Sequence, residues 1–382
     1  MGVQSHTRRW RRGVVQDVAP EGVVDLGPGY LDPAVLPVAL LREAYAVAFA
    51  EYGAAALSYG HDSGALDLRA PLAARAGCDV DEVVITAGTS QALHLLATAL
   101  ARPGDTVLVE RQGYDFGQRI LTDCGLRTRA VPGDASGITP EALEEELAGV
   151  RPAFLYVQPT FHNPTGRVVP ESRRRELLAV ARRHGLLVVE DDAYGELRLG
   201  PDPVPPPLSE LAGNRGVVRL CSFSKVLGPG LRVGWLIAEP ELAAELTAHG
   251  LFVSGGCVNH TTSLAVATLL NGGAYDRHLA DLRVRLRTRR DALLGALPAP
   301  VTAPGGGFFA WLPAPPGHRE VHLLAAAARA GVRVSAGSRF GSSAPPGIRL
   351  AYSFNPPDVL AAAGRRLADA WPRPLDPAPH EL

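Results

Sequence analysis

Lysine is almost missing from this chain. Of its 38 basic residues 37 are arginine, and Lys225 is the single lysine in 382 residues. Arginine replaces lysine as a surface charge at little cost, but its guanidinium stays protonated at any working pH and makes a poor nucleophile. A partly desolvated lysine amine can lose its proton and add to a carbonyl to form a Schiff base. One surviving lysine therefore points to a position where the amine itself is needed. Cysteine is scarce too: Cys78, Cys124, Cys221 and Cys257 are scattered, with no CxxC pair and no Cys/His cluster at metal spacing. That argues against a zinc site, and no metal is expected; it suits reduced thiols in a cytoplasmic protein. Charge of one sign is lacking as well. A net charge of −1 offers no field that would favour nucleic acid or an anionic membrane. No apolar run reaches membrane-spanning length, and Arg8-Arg9-Trp10-Arg11-Arg12 has no apolar segment behind it, so it reads as a solvated, frayed terminus rather than a signal peptide.

What is present is a chain that is 46% hydrophobic, enough to bury a large core in two lobes. Strand-like runs alternate with helical patterns, the pattern of a mostly parallel sheet with crossover helices. The strands expected are Val83 to Thr86, Thr106 to Glu110, Phe154 to Val157, Leu186 to Glu190, Val217 to Cys221 and Val233 to Ala238. The expected fold is therefore α/β, with a large domain over 50–275 and a smaller α+β domain over 276–371. Residues 1–49 would form an arm and part of the small domain, and 372–382 a loose tail. A long helix, Asp276 to Leu297, repeats Leu279, Leu282, Leu286 and Leu293 at helical spacing, so its many arginines read as a solvated face.

Four motifs fall at the carboxyl ends of expected strands, where open α/β sheets bind ligands. Ser222-Phe223-Ser224-Lys225 places two hydroxyls beside the amine, with Arg232 seven residues on. Gly88-Thr89-Ser90-Gln91 opens a helix, where free N–H groups favour a phosphate. Asp191-Asp192-Ala193-Tyr194 brings two acids and a phenol out of a buried strand, and Asn163-Pro164-Thr165-Gly166 forms a turn. Singly, each has a plainer reading. The acids could cap a helix or bind magnesium, Asn-Pro-Thr-Gly is a common turn, and Tyr59, Tyr114 and Arg349 could serve packing. The run Gly228 to Gly234 imitates a dinucleotide fingerprint, but strand-like residues follow it where a helix should start.

Together, a phosphate cradle, an aldehyde-trapping lysine and an acid for a ring nitrogen describe a site for pyridoxal 5′-phosphate. These residues resemble fold-type I pyridoxal-phosphate enzymes of the class I/II aminotransferase family, from Leu26-Gly27-Pro28-Gly29 to Arg349. The likeness is to the α-aminoadipate and aromatic aminotransferase branch, which also supplies the effector domain of GntR-type regulators. The resemblance implies that Lys225 forms the internal aldimine and shuttles a proton, Asp191 pairs with the pyridine nitrogen, and Tyr194 and Asn163 flank the phenolic oxygen. It implies that Tyr114 stacks on the ring and that Ser90, Gln91, Ser222, Ser224 and Arg232 bind phosphate. Tyr59 would reach the phosphate of a neighbouring subunit in a homodimer with shared sites. Arg349, with Gly27 and Asn163, would hold the substrate α-carboxylate.

The expected reaction is transfer of an amino group from an α-amino acid to a 2-oxo acid. Elimination, decarboxylation or oxygen-dependent oxidative deamination on the same scaffold, of the kind found in specialised metabolism, is the alternative. A ligand-sensing transcription regulator is set aside, because only about 25 residues precede the glycine motif where a winged-helix domain would have to stand. Tyr30, Phe161, His162, Asn259 and His260 are the candidates for the side-chain pocket. The stretch Ser254 to His260 either opens that pocket or forms a turn, and the turn is favoured.

Overall fold

The computed structural model describes residues 19–255, 259–298, 301–341 and 346–372. Its strands are β1 (Val24–Asp25), β2 (Val83–Thr86), β3 (Thr106–Glu110), β4 (Arg127–Val131), β5 (Gly133–Asp134), β6 (Gly137–Ile138), β7 (Phe154–Val157), β8 (Val188–Asp191), β9 (Val217–Ser222), β10 (Gly234–Ile237), β11 (Phe309–Pro313), β12 (Val332–Arg333), β13 (Ser335–Ala336) and β14 (Gly347–Ala351).

Seven of these form the central sheet, in the order β2-β10-β9-β8-β7-β3-β4. Pairings across β9, β8, β7, β3 and β4 are parallel, and β10 alone runs antiparallel, to both β9 and β2. The expected α/β fold with a mostly parallel sheet is thus found. β2, β7 and β8 are buried at every position, as strands covered on both faces must be. One face packs on Leu93, Leu96, Leu121 and Phe252, the other on Leu143, Leu177, Leu178 and Leu208. The covering helices end where their sequence says they should. Helix Glu171–His184 carries Arg182, Arg183 and His184 in its last turn and stops at Gly185, whose φ of 61° is left-handed.

A second sheet, β11-β14-β13, is antiparallel, and β1 pairs in parallel with β12, which ties residues 24–25 to the carboxy-terminal part of the chain. Helix Val38–Tyr52 lies instead against helix His260–Asn271.

The long arginine-rich helix runs Ala274–Leu294, and its solvated face needs correcting. Arg289 and Arg290 are buried. Arg289 donates to Asn355 O (3.0 Å) and pairs with Asp32 (2.9 Å), while Arg290 donates to Pro304 O (2.8 Å). Arg283 and Arg287 donate to the carbonyls of Glu196 and Leu199. A guanidinium reaches unpaired loop carbonyls through a long apolar stem, so here arginine staples the helix to the loops beside it.

Candidate active site

Parallel strands bring their carboxyl ends to one edge of the sheet. β2 delivers Gly88 to that edge, β8 Asp191, β9 the segment from Ser222 to Lys225, and β7 the turn at Asn163. A cavity of about 670 Å³ opens there, lined by Gly27, Tyr114, Asn163, Tyr194, Lys225 and Arg349 among others. The second sheet closes its far side through Phe309, Ser335 and Arg349.

Lys225 follows β9 in a single 3-10 turn, and its Nζ donates to Gly29 O at 2.8 Å. It lies 5.3 Å from the Tyr194 ring centre and 5.9 Å from that of Phe308. Burial lowers its pKa to about 8; Asp191 works against that shift, and Arg349 and Arg232 add to it. A lysine so placed is neutral about a tenth of the time at pH 7, far more than a free lysine amine.

The two neighbouring acids part company. Asp191 Oδ2 accepts from Tyr156 Oη at 2.6 Å and Oδ1 from Ala193 N at 3.2 Å. Burial raises its pKa, while the Tyr156 hydroxyl, the Ala193 N–H and the Gln158 side chain favour the charged form. Asp192 is committed elsewhere, accepting from Arg219 at 2.6 Å and 2.9 Å. Tyr194 is buried edge-on against Phe308 and Phe309, and burial raises its pKa well above the ordinary value, so the phenol keeps its proton.

Beside the lysine, Ser222 Oγ and Ser224 Oγ stand 2.9 Å apart, and Arg232 reaches Ser224 Oγ at 3.5 Å and Ala87 O at 2.5 Å. Helix Thr89–Ala99 points its free N–H groups to the same edge, and Gln91 Oε1 accepts from Ala87 N. Two glycines make the approach possible. Gly88 has φ +95°, and a Cβ there would come within 2.6 Å of Arg232 Nη2; a Cβ at Gly234 would meet Cys221 O at 2.6 Å. The run Gly228 to Gly234 passes through a short 3-10 turn into β10, so no helix follows it.

At the other end Arg349, buried on β14, donates to Asn163 Oδ1 (2.8 Å), Gly27 O (2.6 Å) and Ser335 Oγ (3.1 Å). Its guanidinium lies 4.1 Å from the Phe309 ring centre and 4.6 Å from that of Phe340. Nε is buried without a partner. Burial lowers the Arg349 pKa to about 10, still far above neutrality.

The structure gathers Lys225, Asp191, Tyr194, Asn163, Tyr114, Gly27, Ser222, Ser224, Arg232 and Arg349 around one edge of the sheet, with Ser90 and Gln91 on the adjoining helix start. Tyr59 stands apart, 86% exposed, beside Gly255. Of the five side-chain candidates, Tyr30 lines the cavity. Phe161 is wedged beneath Gly305, Gly306 and Gly307, and fully buried His162 bonds Thr165 and the carbonyl of Gln112, next to Glu110. Asn259 caps helix His260–Asn271 and holds Leu231 O; His260 lies against Gly60. Ser254 and Gly255 form a turn, and residues 256–258 lie outside the described residues. Tyr156 and Gln158 escaped sequence reasoning, as did Ser335, Phe309 and Phe340. Tyr156 and Gln158 are two apart across the end of β7, so strand periodicity alone would have put them on one face.

The fit to pyridoxal phosphate can be tested on these residues. The hydroxyls and guanidinium meet at a helix start where two glycines leave room, a lysine with lowered pKa stands at one side, and the buried carboxylate of Asp191 is held by donors at the same sheet edge. Arg349, its Nε unsatisfied, suits an incoming carboxylate. The residue set is chemically compatible with pyridoxal phosphate. The sequence profile of the family "Aminotransferase class I and II" matches residues 21–365. The chain is 36% identical to a 2-aminoadipate transaminase of Thermus thermophilus, covering 91% of this chain and 90% of that one. It is 31% identical to an aromatic-amino-acid aminotransferase of Thermococcus litoralis, covering 94% and 90%. Among solved structures, a Thermus thermophilus α-aminoadipate aminotransferase complexed with N-(5′-phosphopyridoxyl)-L-leucine superposes with a TM-score of 0.83 at 35% identity, over 92% of each chain. The chain belongs to the class I and II aminotransferase family. It is a pyridoxal 5′-phosphate-dependent enzyme that transfers an amino group between an amino acid and a 2-oxo acid.

Proposed function

We propose that Lys225 is the catalytic amine, Asp191 the partner of the cofactor ring nitrogen, and Arg349 the clamp for the substrate α-carboxylate. When bound, pyridoxal phosphate supplies an aldehyde for the substrate nitrogen and a protonated ring that draws off the electrons left at Cα. Ser222, Ser224, Arg232, Ser90 and Gln91 would hold the phosphate, Tyr114 would pack against the cofactor, and Tyr194 and Asn163 would bond its phenolic oxygen. Arg349 would exchange part of its contact with Gly27 O and Asn163 for the carboxylate, and by holding it would orient the bonds at Cα. Lys225 Nζ, once released, would be the base that takes the Cα proton and the acid that gives it back, and its lowered pKa suits both roles.

The observation that carries this reading is the lowered-pKa amine of the single lysine in a cavity that also holds Arg349. Its test is the absorbance of the loaded protein titrated with an amino-acid panel without oxygen. Loss of the visible band, restored by a 2-oxo acid, is the expected result. A substrate that reacts only after air is admitted would sink it.

A homodimer is part of the proposal. Val47, Phe49, Leu57, Leu251 and Val253 are exposed around the segment that carries Tyr59, apolar side chains that a partner subunit would cover. Tyr59, on that surface, would then serve the partner's phosphate. Cys78, Cys124 and Cys221 are free thiols, which suits a cytoplasmic enzyme.

A further inference from the structure

We propose that the enzyme selects amino acids and 2-oxo acids whose side chains carry no formal charge. This rests on the reading of Arg349 as the α-carboxylate clamp. Among the described residues, the cavity wall holds four basic groups, Lys225, Arg333, Arg339 and Arg349, and two acids, Asp25 and Asp115. Lys225 is engaged with the cofactor. Arg339 is spent on Asp115, Nε to Oδ2 at 2.5 Å, and also lies 5.2 Å from the Phe116 ring centre. Arg333 is spent on Asp25. The wall therefore keeps one uncommitted positive charge, on Arg349, and one carboxylate satisfies it.

A second carboxylate on the substrate would meet arginines whose charge an acid already balances, and to gain a full ion pair it would have to weaken the existing one. Asp115 is 16% exposed and Asp25 8%, so either would be left nearly buried without its cation, a costly state. Asp25 is also tied to the clamp: its Oδ1 accepts from Gly27 N at 2.9 Å, and Gly27 O accepts from Arg349. Pulling Arg333 away loosens the loop that positions Arg349. A cationic side chain fares no better, since both acids are already neutralised. The remaining wall, Tyr30, Phe116, Phe309 and Val334, offers apolar surface. Aliphatic and aromatic side chains gain by burial there, at no electrostatic cost.

The test is calorimetric titration of the loaded protein with carboxylates that lack an amine: 3-phenylpropanoate and 4-methylpentanoate with one charge, hexanedioate with two. The monocarboxylates are expected to bind about tenfold or more tightly than hexanedioate. Asp115→Asn, which releases Arg339, should narrow that gap about tenfold. Equal or tighter binding of hexanedioate by the wild-type protein overturns the proposal, and this arm decides even if the variant does not fold. A folded Asp115→Asn protein with an unmoved gap overturns it as well. Arg349→Gln separates the two readings. If binding of all three ligands survives that change, the clamp itself is wrong. If binding is lost while hexanedioate matched the others in wild type, the clamp stands and only the selectivity falls.

Discussion

The proposed phosphate end of the site, at the sheet edge, and its carboxylate end, in the cavity wall, are built from different material. Ser222, Ser224 and Arg232 come from one short segment between β9 and β10, braced by Gly234 at the start of β10 and by Gly88 in the turn after β2. Gly27, Asn163 and the strand pair that carries Ser335 and Arg349 come from three distant parts of the chain: the loop after β1, the turn after β7 and the second sheet. The first end is fixed by local backbone geometry. The second exists only when those parts are correctly placed relative to one another. The comparison predicts separable losses: damage at one end should weaken cofactor affinity, damage at the other substrate affinity.

Lys225 sits between the ends and should give the largest effect. Lys225→Ala is expected to lower kcat by about 10⁴-fold or more, with the fold retained by circular dichroism. Arg349→Gln should cut kcat/KM by about 10²–10³-fold and leave cofactor affinity within a few-fold. A matching loss of cofactor affinity would erase the distinction between the ends. Arg232→Gln should do the reverse, raising the cofactor Kd about 10–100-fold with little change in KM. The amine also predicts a pH response. Cofactor capture by the cofactor-free protein should rise roughly tenfold per pH unit up to about 8 and then level, since only the neutral amine attacks. A flat profile would mean that some other group limits capture. The smallest effect is expected at Tyr59→Phe, about 3–10-fold in cofactor Kd, and only under conditions where the protein is dimeric.

The difference between the ends also explains what could be read in the sequence. Residues that act where a strand ends betray themselves by position, and Asp191, Ser222, Ser224 and Lys225 are of that kind. The carboxylate end offered one arginine between Ile348 and Leu350 and no sign of Ser335, Phe309 or Phe340, because their proximity is a product of sheet pairing: Ser335 and Trp311 are both register partners of Arg349. Phe161 and His162 looked like pocket residues because they precede the Asn163 turn, but the chain turns them into the core, Phe161 at φ +49°. The arginines of helix Ala274–Leu294 misled for another reason. Charge pattern alone does not distinguish a guanidinium in water from one bonded to loop carbonyls.

The single lysine also makes this chain unusually simple to label. Borohydride reduction of the loaded enzyme can attach the cofactor to only one side-chain amine, so a peptide map should show one fixed adduct, at Lys225. With that amine occupied, acylating reagents aimed at ε-amines find none left among the side chains. A lysine introduced on an exposed helix face would then be a unique attachment point for a dye or a support, the α-amine aside. Few enzymes of this size could be immobilised in one chosen orientation by so ordinary a reagent.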